Sequence, residues 1–219
     1  MSGSPEAVGA AHGATYSEEI VAYARERTSI VTTGTWSGAE ASADQVLSIA
    51  ELMIPAHDEY SEDLTHEMIA MAAAVGITPA EAVVVGGFTD FVDTVRGRLG
   101  DAPYEDTCTA MIVPAAAASE RQAMLGQTWD MHDTATEHVI LLDLEPGWGP
   151  RALVFTTVGC LGQIGMNEAG IAVGINNLTA AVGTLGVTWP FVVRKALEQS
   201  TIDDAVKCVM DAELAGAHN

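Results

Sequence analysis

The stretch DTCTAMIVP, residues 106–114, lies where the sequence pattern of this 219-residue chain changes. Before it, apolar residues recur every three or four positions, as on one face of a helix. After it, short runs of β-branched and aliphatic residues are separated by turns, which is typical of strands. Cys108 opens the first of these runs and has Asp106, Thr107 and Thr109 as polar neighbours. The stretch therefore predicts a boundary between helices and a sheet, and it raises the question of whether Cys108 is a core thiol or a nucleophile.

The first hundred residues are predicted to form helices. Their start and stop signals are N-cap hydroxyls, prolines and glycines. Four helices are predicted. The first is capped by Ser17, and the second runs from Ala41 to Ile54 and stops near Pro55. The third runs from Ser61 to Val75 and is ended by Gly76, and the fourth starts at Thr78 and is interrupted at Gly86-Gly87. Arg96 to Tyr104, with two glycines and a proline, is predicted to be a loop.

The part of the chain after Asp106 is predicted to be a meander of strands followed by two helices. The predicted strands are Thr109–Val113, Ala123–Gln127, His138–Leu144, Ala152–Val158, Gly162–Met166 and Gly170–Asn176. The last two flank a Gly-containing hairpin connection, Asn167-Glu-Ala-Gly170, and the helices are Trp189–Gln199 and Thr201–Glu213. This order predicts an α+β fold with helices packed on an antiparallel sheet.

The composition limits the classes of partner. The formal charge is −21, which disfavours nucleic acid and anionic membrane because their phosphates would be repelled. No run of about 18 apolar residues is present, so no membrane span is expected. The three cysteines form no Cys-x-x-Cys pair and the first residues do not resemble a signal peptide, so a reducing, cytoplasmic location is expected.

Few side chains point to a reaction on local grounds. Cys160 and Cys208 lie in apolar surroundings and are predicted to be core thiols. The six histidines lack metal-ligand spacing with each other or with cysteine, so neither a metal nor another cofactor is expected. His132 is the most notable of them, but a structural role is favoured for it.

Cys108 has one mechanism that requires no histidine. If the peptide bond before Cys108 were cut, the new α-amine would lie within reach of the residue's own thiol. An α-amine has a pKa of about 7.7–8.0 and a cysteine thiol one of about 8.5, so the amine can take the thiol proton near neutral pH. The nucleophile would then carry its own base.

Four motifs in order carry a resemblance to a known family. They are Ala11-His-Gly13, Cys108-Thr-Ala110, Leu125-Gly-Gln-Thr-Trp-Asp-Met131, and the stretch from Gly165-Met-Asn-Glu-Ala-Gly170 to Asn176-Asn-Leu178. Together they resemble the penicillin acyltransferase-like (acyl-CoA:6-aminopenicillanic acid acyltransferase) cysteine peptidases, which are N-terminal nucleophile hydrolases. The choloylglycine hydrolases are more distantly similar.

The resemblance implies an αββα sandwich whose precursor cuts itself before the cysteine. Residues 1–107 would be a helical segment released as a separate chain, and residues 108–219 would be a strand meander with C-terminal helices in the same domain. The implied site residues are Cys108 as nucleophile, Thr107–Cys108 as the scissile bond, Asp130 as the carboxylate that holds the new amine, either Asn176 or Asn177 as the oxyanion donor, and Thr109 and Trp129 as supporting residues.

The implied function is a self-processing N-terminal-cysteine acyltransferase or amidohydrolase that acts on amide C–N bonds through an acyl thioester. A peptidase or a bile-salt-type amidase would differ only in substrate. The expected partners are a small-molecule acyl donor and an amine or water acceptor, and association with further copies of the chain stays open.

Three departures from the family pattern motivate an alternative. Thr107 stands where glycine is common, Thr128 stands where asparagine is common, and the chain stops at Asn219 where relatives continue. We expect a fragment of a longer protein with an incomplete C-terminal part. The alternative is a non-catalytic relative that keeps the fold as a binding or oligomerisation domain.

Overall fold

A computed structural model describes residues 1–99, 108–180 and 183–219. Within these ranges the helices are α1 (Pro5–Thr15), α2 (Ser17–Thr32), α3 (Ala43–Tyr60), α4 (Glu62–Val75), α5 (Pro79–Gly86), α6 (Phe88–Leu99), α7 (Trp189–Leu197) and α8 (Ile202–Met210). The strands are β1 (Ser2–Gly3), β2 (Ala110–Val113), β3 (Met124–Gln127), β4 (Val139–Pro146), β5 (Ala152–Thr157), β6 (Ile164–Asn167), β7 (Ala172–Val173), β8 (Asn177–Leu178) and β9 (Ala217–His218). A 3₁₀ helix covers Asp133–His138.

The strands form one larger sheet and two ribbons in the described part of the chain. The sheet has the order β1-β4-β5-β6-β7, in which β4 to β7 are an antiparallel meander and β1 runs parallel to β4. The ribbons are the antiparallel pairs β2–β3 and β8–β9. The predicted α+β class and the change from helices to strands around Cys108 are confirmed.

Several helix ends follow the predicted signals. The Thr78 hydroxyl accepts from the backbone N–H of Glu81 while the Glu81 carboxylate accepts from that of Thr78, so this capping box is complete. Ser61 caps α4, and Gly76 ends it in the left-handed conformation at φ 76°. The hairpin between β6 and β7 likewise has Gly170 at φ 86°.

Two of the predicted helix boundaries are wrong. Ser17 is the first residue of α2 rather than its cap, and the cap is Tyr16 without a side-chain hydrogen bond. The third residue after Ser17 is Ile20, which cannot return a hydrogen bond to the cap. Helix α3 continues through Pro55 to Tyr60. The missing N–H of the proline leaves only the Glu51 carbonyl without its helical hydrogen bond, and Glu51 is exposed to water. Beyond the proline the helix still buries its inner face, at His57.

The loop predicted from Arg96 to Tyr104 is wrong for its first part. Helix α6 includes Arg96 and runs to Leu99, and residues 100–107 lie outside the described residues. The Arg96 guanidinium is buried, where it donates to Asp93 at 2.6 Å and to the Trp36 carbonyl at 2.9 Å. These tertiary contacts extend the helix beyond the point at which the local sequence suggests a loop.

The N-terminal helix α1 is not foreseen in the sequence pattern. It packs closely on α4 through Gly9, where a Cβ atom would lie 2.0 Å from the Glu67 carbonyl oxygen. His12 of the same helix accepts from the Gly159 backbone N–H at 3.2 Å. The first residues therefore belong to the fold, and β1 adds them to the edge of the sheet.

One large core joins the helices to residues that follow Cys108. It contains side chains of α2 to α6 together with Val158, Leu161 and Phe191. A second cluster lies between the inner face of the sheet and α7, and it includes Val154 and Leu197.

The opposite face of the sheet carries exposed apolar side chains, and exposed Asp143 of β4 lies on it directly across from Leu153. The outer-face row consists of Leu141 of β4, Leu153 of β5 and Met166 of β6, which are 63%, 43% and 55% exposed. Leu153 lies directly opposite Met166. Because alternate residues of a strand point to opposite faces, this row lies on the face away from α7.

Among the described residues no single helix has the length and composition needed to cross a bilayer. Helices α4 and α5 reach that length only as a pair, and they are bent by 109° at their junction.

Candidate active site

The β2–β3 ribbon positions Cys108 beside Asp130. The ribbon pairs Ala110 with Gln127, and its ladder continues beyond the strand ends because the Thr128 N–H donates to the Thr109 carbonyl at 2.9 Å. The thiol lies 3.9 Å from the backbone carbonyl oxygen of Asp130 and is half-buried. The fold therefore holds the cysteine at the edge of the ribbon, away from the packed hydrocarbon core.

The Thr128 hydroxyl orients the Asp130 carboxylate. It donates to Asp130 Oδ2 at 3.0 Å and accepts from the backbone N–H of Thr109 at 3.0 Å. The threonine that departs from the family motif thus links the residue after the cysteine to the carboxylate. Thr109 contributes to the site through its backbone.

Four of the predicted site residues share one cavity. Cys108, Trp129, Asp130 and Asn177 line a space of about 80 Å³. The remaining lining is largely aromatic and apolar, with one hydroxyl and one imidazole: Trp36, Thr89, Met131, Ile175, Trp189 and His218. Residues that carry a thiol, a carboxylate and a side-chain amide therefore border the same small volume.

The two candidate asparagines occupy different places. Asn177 lines the cavity, whereas Asn176 lines a separate apolar groove beside β2, β7 and α8. The backbone of Asn176 pairs with that of Asn219, at 2.8 and 3.0 Å. The geometry favours Asn177 as the oxyanion donor, and the role itself stays a prediction.

Gln127 is a positioning residue that the sequence analysis does not single out. Its side-chain amide donates to the Ile175 carbonyl at 2.9 Å and accepts from the Ile175 N–H at 2.7 Å. These two bonds take the place of backbone pairing between β3 and the segment that leads to Asn177. Its place in the Gln-Thr-Trp-Asp motif is the signal that could have identified it.

The other thiols and the most notable histidine lie outside this cavity. Burial raises the pKa of Cys160, which is fully buried, and of Cys208, which is half-buried. His132 lies against Tyr23, Trp36 and Phe88, and burial lowers its pKa to about 4. The prediction of a core thiol is confirmed for Cys160 but wrong for Cys208, which is only half-buried because α8 buries little beyond Ala205. The aromatic surroundings of His132 fit its predicted structural role.

Asp90 and His218 form a buried pair at the cavity that the sequence analysis misses. Asp90 Oδ1 lies 3.3 Å from His218 Nδ1, and the two side chains are 0% and 5% exposed. The residues are 128 positions apart and belong to no shared motif, so no local signal connects them.

No group of three or more metal-ligating side chains occurs in residues 1–99, 108–180 and 183–219. The Thr107–Cys108 bond predicted to be cut begins at Thr107, which lies outside the described residues.

Comparisons with known proteins identify related sequences. The family model described as acyl-coenzyme A:6-aminopenicillanic acid acyl-transferase matches residues 117–219. The 40 kDa form of acyl-coenzyme A:6-aminopenicillanic-acid-acyltransferase from Emericella nidulans is 25% identical over 211 residues, which are 95% of this chain. The chain spans about half the length of that relative, 55%. Both matches confirm the resemblance to the penicillin acyltransferase-like family that the motifs carry.

Proposed function

We propose that this chain is the catalytic part of a self-processing N-terminal-cysteine acyltransferase or amidohydrolase. The observation that carries the proposal is the cavity shared by Cys108, Asp130 and Asn177. The similarity to an acyltransferase family supports the same reaction class. The substrates would be a small acyl donor and an amine or water acceptor.

The first reaction would be self-cleavage. The Cys108 thiol attacks the Thr107 carbonyl carbon, and the C–N bond breaks as the acyl group moves to sulfur and the thiol proton moves to nitrogen, which frees the α-amine of Cys108. Water then hydrolyses this thioester, which leaves a carboxylate on Thr107 and frees the thiol. Residues 1–107 become a separate chain that keeps its place through the shared core.

The second reaction would use the freed amine as a base. The amine takes the thiol proton while the sulfur attacks the acyl donor. The Asp130 carboxylate, held by Thr128, favours the resulting ammonium group. The Asn177 amide would donate to the oxyanion, and loss of such a donor typically costs about 2.7–4 kcal/mol of barrier.

The proposed fold is an αββα sandwich in which a second sheet covers the outer-face row. Exposed apolar surface of this kind marks a place where another element packs. Leu141, Leu153 and Met166 would form the layer between the two sheets.

The three free cysteines fit a cytoplasmic location, which is part of the same proposal.

Mass spectrometry of the purified full-length protein tests the self-cleavage. We expect two chains, with the second beginning at Cys108. The Cys108→Ala variant is expected to remain a single chain. Cys108→Ser is the matched control, because its hydroxyl can carry out the same acyl shift more slowly. An intact wild-type chain that turns over an acyl donor would contradict the mechanism.

Labelling by a reactive acyl donor separates catalysis from the binding-domain alternative. The wild-type protein is expected to gain one acyl group on Cys108 per chain, and the Cys108→Ala variant is expected to gain none there. If the wild-type protein is neither cleaved nor acylated, a binding or oligomerisation domain is the better description.

A further inference from the structure

The imidazole of His218 faces the Cys108 cavity from the strand pair opposite the thiol. His218 lies directly across from Asn177 in the β8–β9 ribbon, and residues opposite each other in a ribbon place their side chains on the same face. Both residues line the cavity. His218 therefore borders the same small cavity as Cys108 and Asn177.

His218 has buried nitrogen atoms without an assigned task. Only 5% of the side-chain surface is exposed, and within the described part of the chain neither ring nitrogen makes a hydrogen bond. A buried polar group usually has a partner, because leaving it unsatisfied costs free energy. The Trp189 ring, 5.6 Å away between centroids, provides packing but no acceptor. Nδ1 faces Asp90 Oδ1 at 3.3 Å, so a substrate group in the cavity would supply the missing partner of Nε2.

Asp90 holds the other side of the imidazole. Its Oδ1 lies 3.3 Å from His218 Nδ1, and its Oδ2 accepts from the Trp189 backbone N–H at 2.5 Å. Gly216 passes so close that a Cβ atom there would lie 2.3 Å from Oδ1. The carboxyl group is therefore fixed in place, with the imidazole between it and the cavity.

We propose that His218 is a catalytic residue that transfers protons to and from the amide nitrogen of the acyl donor or acceptor, with Asp90 as its positioning partner. This inference rests on the proposed function of Cys108. It gives the departing amine a proton source distinct from the α-amine of Cys108.

The protons balance over one cycle. During acylation the thiol proton goes to the α-amine, the C–N bond of the donor breaks, and His218 Nε2–H protonates the departing nitrogen while Nδ1 receives the Asp90 proton. During deacylation the attacking water or amine gives its proton to Nε2, and Nδ1–H returns a proton to Asp90. The sulfur leaves as the α-ammonium group returns its proton.

The protonation states required at the start fit the surroundings of the pair. Burial raises the pKa of Asp90 well above its ordinary value, and Asp93 raises it further, while the Trp189 and Gly216 N–H groups oppose this shift. Burial lowers the pKa of His218 to about 3. A protonated Asp90 beside a neutral His218 is the form that can donate one proton into the cavity.

Two donors with the same acyl group test the proposal in the full-length self-cleaved protein. The p-nitrophenolate released from p-nitrophenyl acetate needs no proton to depart, whereas the nitrogen of p-nitroacetanilide does. In His218→Asn, which retains a hydrogen-bond donor but cannot pass a proton on, we expect kcat/KM for the anilide to fall about 10²–10⁴-fold. The value for the ester is expected to stay within about threefold.

The controls separate proton transfer from folding. Asp90→Asn is expected to lower the anilide-to-ester ratio in the same direction, because the amide cannot supply a proton. His12→Asn removes another buried histidine, remote from the Asp90 pair, whose Nε2 accepts from Gly159. Its instability would lower both rates together and leave their ratio unchanged.

The outcomes distinguish this inference from the proposed function. An unchanged anilide-to-ester ratio in His218→Asn, with Cys108 still acylated, would overturn the role of His218 and leave the Cys108 mechanism intact. Failure of the wild-type protein to form an acyl-Cys108 from the ester would overturn the proposed function and this inference with it.

Discussion

The Arg194–Glu67 ion pair between α7 and α4 allows a stability prediction to be worked out in detail. The two side chains are 3% and 1% exposed, and the guanidinium makes two parallel bonds to the carboxylate, at 2.7 and 2.8 Å. Arg194 also donates to the Leu161 carbonyl at 2.8 Å. Burial lowers the pKa of Arg194, but Glu67, together with Glu198 and Cys160, raises it above its ordinary value, so the guanidinium stays charged.

Glu67→Leu would remove the carboxylate and leave the buried Arg194 cation with its hydrogen bond to the Leu161 carbonyl. Removing one partner of a buried pair costs about 3–5 kcal/mol, because the other charge is left uncompensated. The double variant Glu67→Leu/Arg194→Met is expected to recover most of this loss, since it removes both charges and fills a similar volume.

Urea titration followed by circular dichroism measures these differences. The matched control is Asp143→Asn, which breaks the Arg151–Asp143 pair with bonds of 2.8 and 2.5 Å. Those side chains are 57% and 51% exposed, so solvent screens the pair and the expected loss is much smaller than that for Glu67→Leu. A loss below 1 kcal/mol for Glu67→Leu, or no recovery in the double variant, would refute the reasoning.

The remaining predictions concern close packing, the site and pH. Gly9→Ala should lower the free energy of unfolding by about 1–3 kcal/mol, because the added Cβ atom would lie 2.0 Å from a carbonyl oxygen. Gly126→Ala is the control and should not lower it, because a Cβ atom there would have no neighbour within 4 Å. Thr128→Val should slow acylation of Cys108 in the self-cleaved protein about tenfold or more, because the Asp130 carboxylate that favours the α-ammonium group loses a hydrogen bond, whereas Thr128→Ser should not. Equal acylation rates for Thr128→Val and the wild-type protein would contradict the role of the hydroxyl. Burial lowers the pKa of His12 and His57 to about 4 from 6.5, so the neutral forms stabilise the fold fully above pH 6.5 and this contribution is lost as the pH falls towards 4. Urea titrations at pH 7 and 4.5 should show the loss, and His57→Asn should reduce the difference between the two pH values.

Local signals account for the parts of the fold that the sequence predicts correctly. Capping groups and glycines define their turns through short-range bonds, so Thr78, Gly76 and the hairpin at Gly170 are readable from a few residues. The boundary at Cys108 is readable because the spacing of apolar residues changes there. The continuation of α3 through Pro55 depends on burial of side chains by other elements, which no local pattern contains.

The candidate site divides in the same way. Cys108 and Asp130 belong to motifs separated by one turn, so their proximity follows from a single ribbon. The choice between Asn176 and Asn177 required the register of the β8–β9 pair, which depends on residues 40 positions away. Asp90 and His218 meet only after α6 and the last strand have packed, and no spacing in the sequence encodes that contact.

The apolar outer-face row has a practical consequence for handling this 219-residue chain. With the row exposed, the folded chain should bind the fluorescent dye ANS, a property usually taken as a sign of loosened packing. The charge of −21 should keep such molecules dispersed in dilute buffer through mutual repulsion. At 1 M salt the electrostatic repulsion extends only about 3 Å, so Leu141, Leu153 and Met166 should drive self-association. The chain should therefore be purified and stored at low ionic strength.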